Sequence, residues 1–239
     1  MPSRPIVFSD IDFTIVFDSE IHPKTVELIE QVRRQARFVL VTARSKAECE
    51  GLPDIPNDGF IAENGAAVYL REHGRDRLDP EWEQQMHKRQ SVLEAFRDEL
   101  ASRGWCMHKK LHAFSSCIDS SGMQAADVQW VQDNLPAGLQ LEFSRNTAGR
   151  YIEVFPAEAG KDKAVHRLCA RLGVDLQATF GLGDNSNDLP MLETVKMPLA
   201  PGNCHPDVRA LVTQRGGFVA PLEGHAGAQE MLRELLRLL

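Results

Sequence analysis

The chain has 239 residues and a formal net charge of −7. This acidic balance, with no long basic tract, argues against a nucleic-acid-binding protein. No apolar run approaches the ~20 residues that a membrane span requires, and the start, Met1–Pro5, lacks the apolar core of a signal peptide. We therefore expect a cytoplasmic protein that binds no membrane. Its five scattered cysteines form no CxxC pair and predict free thiols.

Strand-like and helical patterns alternate along the first part of the chain. An apolar strand over Pro5–Phe8 leads into a turn-rich stretch, and then into a helix that opens at Pro23 with apolar residues at helical spacing. A second buried strand follows over Arg37–Val41, and a third over Phe60–Ala62. Asn64-Gly65 then predicts a hairpin. This alternation indicates a parallel, doubly wound sheet of the α/β class.

The middle of the chain has a different composition. Residues 71–77 are polar and predict a linker, and a long helix is expected from Asp79-Pro80 towards Gly104. Grouped strands with one helix follow, which favours a small α+β unit with an antiparallel sheet. The parallel pattern resumes with a helix over Lys161–Leu172 and ends in a leucine-rich helix, expected to pack on the sheet, with a dimer contact as the alternative. We therefore predict a Rossmann-like core of residues 1–70 and 157–239 with a cap domain, residues 71–156, inserted into it.

Four carboxylates follow two of the predicted strands. Asp10 and Asp12 come directly after the first strand, and Asp184 and Asp188 come after the apolar run that ends at Leu182. Parallel strands that end side by side would bring all four into one crevice, where open α/β sheets bind ligands. Four carboxylates would repel one another there unless a hard cation lay among them. The sequence therefore predicts a magnesium-dependent site for phosphoryl transfer.

The residue types around this crevice suit hydrolysis of a phosphate monoester. Asp10 could attack phosphorus to give an aspartyl-phosphate, and Asp12 could protonate the leaving group and then activate water. Thr42 can donate a hydrogen bond to phosphoryl oxygens, and Lys161 begins a helix, so that its ammonium and the helix N-terminus could both face the phosphate. Arg44 could contact phosphate or form a surface ion pair, and the sequence leaves that choice open.

These motifs, in this order, resemble those of haloacid dehalogenase-like phosphatases. The resemblance lies in Asp10-x-Asp12-x-Thr14, in Thr42 after an apolar strand, in Lys161 before a helix, and in Gly183-Asp184-x-x-Asn187-Asp188. The stretch Ile61–Ala66 and the position of the cap resemble the Cof-type branch, subclass IIB. The Ala159-Gly160-Lys161 entry and the chain length are similar to those of sucrose-phosphate and mannosyl-3-phosphoglycerate phosphatases.

The resemblance implies a role for each matched residue. Asp10 would be nucleophile and metal ligand, and Asp12 would be the acid/base and a metal ligand through its carbonyl. Thr42, Lys161, Arg44 and Asn187 would bind the phosphoryl group, and Asp184 and Asp188 would complete the Mg²⁺ site. A carboxylate at position 12 favours a phosphatase or a mutase.

One residue departs from the family pattern. Phe13 stands where the family usually has glycine, directly after the acid/base. Because phenylalanine disfavours positive φ, either the turn is less strained here or the ring lines the leaving-group pocket. Further candidates for substrate contact are Asn64, which could instead be only a hairpin residue, and four cap residues: Lys109, His112, Arg145 and Arg150.

The predicted function is that of a magnesium-dependent phosphatase acting on a small phosphorylated metabolite. A cap that closes over the site favours a sugar phosphate or a phosphorylated glycoside. The alternatives are a sugar phosphomutase, a phosphoglycolate phosphatase and a non-catalytic sugar-phosphate-binding protein. We expect a monomer or a weak homodimer.

Overall fold

The structure is a computed structural model that describes residues 4–72, 75–105, 112–146 and 149–239. Its eleven strands in these ranges are β1 (Ile6–Ser9), β2 (Arg37–Val41), β3 (Gly59–Ala62), β4 (Ala67–Glu72), β5 (Arg75–Leu78), β6 (Ser116–Asp119), β7 (Leu139–Asn146), β8 (Gly149–Pro156), β9 (Thr179–Leu182), β10 (Met197–Ala200) and β11 (Phe218–Val219). Its nine α-helices in these ranges are α1 (Pro23–Gln35), α2 (Lys46–Cys49), α3 (Pro80–His87), α4 (Gln90–Ser102), α5 (Ala125–Asp133), α6 (Lys161–Leu172), α7 (Leu189–Thr194), α8 (Pro206–Gln214) and α9 (Gly224–Leu238).

Eight strands form one large sheet in the order β11-β10-β9-β1-β2-β3-β4-β5. The first six in this order pair in parallel, and β4 and β5 pair antiparallel at one edge. Strand β1 lies between β2 and β9, with Ser9 beside both Leu40 and Leu182. The predicted α/β fold with a mainly parallel sheet is therefore confirmed. The loops after β1, β2 and β9 all leave the sheet at the same edge.

The prediction of a linker over residues 71–77 is wrong, because most of this segment belongs to the large sheet. After the turn Glu63–Gly65, β4 returns antiparallel along β3, and β5 then pairs with β4. The polar residues of this hairpin bind one another: Arg71 Nε lies 2.8 Å from Asp76 Oδ1 across the two strands. An edge strand with alternating exposure can therefore have the polar composition of a linker.

The predicted single helix from Asp79 towards Gly104 is two helices. Helix α3 buries Trp82 and Met86 in the hydrophobic core of the large sheet, and the Trp82 indole N–H donates to the Gly65 carbonyl at 2.9 Å. Helix α4 buries its apolar residues, among them Phe96, in a second and separate core. The apolar faces thus change partner between α3 and α4. We accordingly propose that the cap begins near Gln90 rather than at residue 71.

The cap contains a three-stranded antiparallel sheet in the order β6-β8-β7. Side chains alternate between its two faces, so that Ile118, Ile152 and Val154 pack with α4 and α5 in the second core. The opposite face includes Glu153, which stands beside Cys117 of β6 on one side and Glu142 of β7 on the other. This second face carries polar residues that line the cavity described below.

Helix α9 packs against α1 and the β10–β11 edge and buries Leu232 and Leu235, which confirms the packing predicted for the leucine-rich segment. Four cysteines in the described ranges, Cys49, Cys117, Cys169 and Cys204, are free thiols. Each helix in the described ranges is too short or too polar to cross a bilayer.

Candidate active site

The ends of β1 and β9 bring three carboxylates together. The backbone N–H of Asp10 donates to the Leu182 carbonyl at 2.8 Å, which joins the two strand ends. One carboxylate oxygen from each of Asp10, Asp184 and Asp188 lies within 4.8 Å of the others. Asp12, predicted to be a metal ligand through its backbone carbonyl, directs its carboxylate to Arg44, and the metal role of the carbonyl stays a prediction.

Lys161 lies beneath these carboxylates at the start of α6. Its Nζ is 2.9 Å from Asp10 Oδ1 and 2.6 Å from Asp188 Oδ1, and the side chain is almost fully buried. Burial opposes its charge, but the two carboxylates outweigh burial and raise the pKa of Lys161 above its ordinary value. The ammonium therefore stays charged and holds the two acids in fixed positions.

A close backbone contact sets the position of this helix start. Gly65 has a φ of +93°, and a Cβ added to it would lie 2.2 Å from the Gly160 carbonyl oxygen. Gly160 itself, with a φ of +145°, precedes Lys161 directly. The glycine in the β3–β4 turn therefore allows the Lys161 helix to begin against the large sheet.

The cluster of Asp10, Asp184 and Asp188 has three carboxylates beside a single ammonium group, that of Lys161. Burial, together with the charge of Asp188, raises the pKa of Asp10 to about 7 despite the ammonium of Lys161. Burial and the neighbouring Asp10 and Asp188 likewise raise the pKa of Asp184 well above its ordinary range. The three buried carboxylates offer only oxygen donors, and one ammonium group does not balance their charge. Such a donor set suits a hard divalent cation such as Mg²⁺.

Asp188 and Thr14 shape the site through hydrogen bonds. The second carboxylate oxygen of Asp188 accepts the backbone N–H groups of Asp184 and Asn185, each at 3.0 Å. The Thr14 hydroxyl donates to Asp184 Oδ1 at 2.9 Å. Asp188 therefore connects the ammonium of Lys161 to the loop that carries Asp184, and the loop cannot move without breaking these bonds.

Arg44 forms a bidentate ion pair with Asp12. Its Nε lies 2.7 Å from Asp12 Oδ2, and its Nη2 lies 2.8 Å from Oδ1. The backbone N–H of Arg44 donates to the Thr42 hydroxyl oxygen at 3.1 Å. Of the two alternatives for Arg44, the structure shows the ion pair, and its partner is Asp12, the candidate acid/base. A phosphate contact by Arg44 or Thr42 stays a prediction.

Phe13 adopts the backbone conformation that glycine usually supplies. Its φ is +59°, and the turn is closed by a hydrogen bond from its N–H to the Val16 carbonyl at 2.8 Å. The alternative of a less strained turn is therefore wrong, because phenylalanine occupies the left-handed region at a cost of about 1–2 kcal/mol. The second alternative agrees with the structure, since Phe13 lines both cavities described next.

Two cavities adjoin the carboxylates. An inner cavity of about 260 Å³ lies between the core and the cap sheet, and an outer cleft of about 960 Å³ extends along the cap. The core contributes Asp10, Asp12, Phe13, Thr42, Ala43, Arg44, Glu48, Asp184, Asn185 and Asn187 to the inner wall, and the cap contributes His112, Cys117, Ser144, Tyr151 and Glu153. The inner cavity thus offers carboxylates on both of its sides.

The further residues predicted to contact substrate lie in different parts of the structure. His112 lines the inner cavity, and its Nε2 lies 2.8 Å from Glu48 Oε2. Arg150 is exposed and lines only the outer cleft. Asn64 is fully buried outside both cavity walls and donates to Glu153, in a hairpin turn where its own φ is +50°. Lys109 and the side chain of Arg145 lie outside the described residues.

Sequence reasoning missed Glu48 and Glu153. Glu48 looks like an ordinary helix-capping residue: it closes a capping box with Ser45, yet it also binds His112, and its pKa is lowered to about 2 because those hydrogen bonds outweigh burial. Glu153 interrupts the apolar run Ile152–Phe155. A charged residue inside such a strand was the available signal, because alternation directs it to the face opposite the cap core.

Comparison with known proteins identifies the family. Residues 83–215 match the family model of haloacid dehalogenase-like hydrolases. A phosphoglycolate phosphatase of Sulfolobus acidocaldarius is 24% identical over 97% of this chain and 96% of its own length. The chain therefore belongs to the haloacid dehalogenase-like hydrolases, and it is a phosphatase of that family.

Solved structures share the fold. The sucrose-phosphatase of Synechocystis, solved with sucrose and phosphate, superposes with a TM-score of 0.74 at 18% identity and covers 97% of this chain and 98% of its own. A subclass IIB sugar phosphatase superposes with a TM-score of 0.71, also at 18% identity, over 97% of this chain and 98% of its own. The predicted resemblance to this branch is confirmed.

Proposed function

We propose that this chain is a magnesium-dependent phosphatase that hydrolyses a small phosphorylated metabolite through an aspartyl-phosphate on Asp10. The observation that carries the proposal is the position of Asp10, which bonds to the buried ammonium of Lys161 and shares an oxygen cluster with Asp184 and Asp188. A carboxylate beside a fixed cation at the end of a central strand is well placed to attack a phosphoryl group.

Asp10, Asp184 and Asp188 would hold the Mg²⁺ ion, with the Asp12 carbonyl as a further ligand. When bound, the cation supplies neutralisation of charge on the transferring phosphoryl group. Lys161 favours the ionised form of Asp10 and fixes its orientation, and Thr42 and Asn187 line the inner cavity, where they can donate to phosphoryl oxygens.

The proposed hydrolysis has two steps. A carboxylate oxygen of Asp10 forms a bond to phosphorus while the bond from phosphorus to the leaving oxygen breaks, and that oxygen takes a proton from Asp12. A water molecule then passes a proton to Asp12 and forms a bond to phosphorus while the bond from phosphorus to Asp10 breaks, which releases inorganic phosphate and free Asp10. In the structure, Arg44 holds the Asp12 carboxylate in place through two hydrogen bonds.

We propose a sugar phosphate or phosphorylated glycoside as the substrate. The inner and outer cavities together leave room for a leaving group larger than glycolate. Phosphoglycolate is the second candidate, because full-length relatives from Sulfolobus acidocaldarius and Methanopyrus kandleri are phosphoglycolate phosphatases, each 24% identical to this chain. A mutase or a non-catalytic sensor has no comparable observation in its favour.

The test is inorganic phosphate release from a panel of hexose phosphates, phosphorylated glycosides, 2-phosphoglycolate and nucleotides, in Mg²⁺ and in EDTA. We expect release in Mg²⁺ and none in EDTA. Ca²⁺ should inhibit, since its larger and looser shell distorts in-line attack. Isomer interconversion without phosphate release would indicate a mutase, and tight binding without turnover would indicate a sensor.

A further inference from the structure

Glu153 is a buried carboxylate in the inner wall of the cavity that the reaction does not use. It is 4% exposed and lies in the cap sheet, where its strand passes over the core site. Its Oε1 accepts from the Ser144 hydroxyl at 2.8 Å, and its Oε2 accepts from the Asn64 amide. Each carboxylate oxygen has two lone pairs, so that both oxygens can accept one further hydrogen bond from a ligand.

Of the other four acids of this wall, Asp184 belongs to the proposed metal cluster, and the remaining three have cationic partners. Arg44 binds Asp12, His112 binds Glu48, and Lys161 binds Asp10. Glu153, by contrast, bonds to a hydroxyl and an amide, and no cationic side chain of the described residues lies within ion-pair distance of it. Its carboxylate thus lines the cavity without a directly paired cation among the described residues.

The neutral partners hold Glu153 in a fixed orientation. Asn64 lies in the tight turn between β3 and β4, with its backbone N–H bonded to the Thr42 carbonyl at 3.1 Å. The neighbouring Glu63 accepts the backbone N–H groups of Ala113 and Phe114, at 2.9 and 2.8 Å, from the cap loop. One turn of the core therefore ties both Glu153 and the His112 loop to the catalytic edge of the sheet.

We infer that Glu153 is a specificity-determining residue that accepts hydrogen bonds from hydroxyl groups of the leaving group, and thereby selects neutral, hydroxylated phosphate esters over esters that carry a carboxylate. The inference rests on the proposed phosphatase function and deepens it. A hydroxyl donates to Glu153, whereas a carboxylate in the same position has no proton to donate and meets the like charge of Glu153 itself. Phosphoglycolate, whose leaving group is an anion, is disfavoured on this ground.

The sharpest test uses two substrates that differ only in this group. 2-Hydroxyethyl phosphate and 2-phosphoglycolate share their size and phosphate and differ in a terminal CH₂OH or COO⁻. The ratio of their kcat/KM values is measured for the wild type, for Glu153→Gln and for Glu142→Gln, with glucose 6-phosphate as a positive control for turnover. Glu142 is the control because it stands directly opposite Glu153 in the sheet but outside the inner wall.

The wild type is expected to prefer 2-hydroxyethyl phosphate. Glu153→Gln replaces an acceptor-only oxygen by an amide N–H₂ and should reduce that preference by about 10- to 100-fold, the range for a hydrogen bond to a charged group. Glu142→Gln should leave the ratio unchanged.

A wild type that prefers 2-phosphoglycolate, or a Glu153→Gln variant that turns over with an unchanged ratio, would overturn the inference while leaving the phosphatase function intact. Absence of phosphate release by the wild type from every compound would instead overturn the proposed function and the inference together. The wild-type ratio requires no variant, so the inference remains falsifiable even if Glu153→Gln does not fold.

Discussion

Replacing Lys161 by methionine tests the electrostatics on which the site depends. Lys161 is 1% exposed, and its two partners, Asp10 and Asp188, are 7% and 0% exposed. Removing the ammonium leaves two buried carboxylates without their cation, which costs about 3–5 kcal/mol of unfolding free energy. Methionine keeps most of the side-chain volume, so a cavity contributes little to this loss.

The matched control is Lys24→Met. Lys24 lies 2.7 Å from Glu27, close to the distance between Lys161 and Asp188, but the two side chains are 45% and 60% exposed. Solvent screens such a pair, so its loss should cost less than about 1 kcal/mol. The comparison separates burial from distance as the cause of the effect.

The assay is urea-induced unfolding of the wild type and both variants in EDTA, repeated in Mg²⁺. We expect the loss in Lys161→Met to be largest in EDTA and smaller in Mg²⁺, because a bound cation compensates the same carboxylates. A Lys161→Met variant within about 1 kcal/mol of the wild type in EDTA would refute the reasoning, since three buried acids would then tolerate one another without the ammonium.

Three further predictions concern the turns and the cap. Phe13→Gly relieves about 1–2 kcal/mol of strain from the left-handed backbone but costs about 0.5–1 kcal/mol through the greater entropy of the unfolded chain. The unfolding free energy should therefore change by less than about 1 kcal/mol, while KM rises. A larger loss would indicate that the ring is part of the core. Gly65→Ala should lose more than about 3 kcal/mol of unfolding free energy and most activity, because its Cβ would clash with the Gly160 backbone. The control Gly122→Ala, whose Cβ would have no atom within 4 Å, should change the unfolding free energy by less than about 0.5 kcal/mol. Equal effects of the two substitutions in urea unfolding would contradict this account. Burial disfavours the charged form of His112, but the carboxylate of Glu48 outweighs this effect and raises the pKa of His112 above its ordinary value of 6.5. The unfolding free energy lost in His112→Gln should therefore be largest below pH 6.5 and should shrink as pH rises through the raised pKa. A loss that grows with pH would contradict this prediction.

The sequence predicted the core of the site because its signals are local. A buried strand followed by acids places those acids at the sheet edge, and this holds for Asp10 and Asp184 whatever the cap does. The alternation of parallel strands with helices and the start of α6 at Lys161 follow from similarly local signals, namely apolar runs and a glycine before a helix.

The features that sequence reasoning missed depend on tertiary pairing. The β4–β5 hairpin has polar residues that pair with each other, and this pairing is invisible in composition. The division between α3 and α4 reflects two different packing partners rather than a break in periodicity. Glu153 acquires its position from the register of β8 against β6 and β7, and the pairing of Arg44 with Asp12 joins the ends of two strands.

The central claim, that Asp10 is the nucleophile, is tested most directly by trapping its phosphorylated form. Acid quenching of the enzyme during turnover of a ³²P-labelled ester from the panel, in Mg²⁺, should yield labelled protein whose phosphate is released by hydroxylamine, as expected of an acyl phosphate. The label should map to Asp10 and be absent from Asp10→Asn, which should still bind substrate but not turn it over. Turnover by Asp10→Asn, or hydroxylamine-labile label on that variant, would contradict the account.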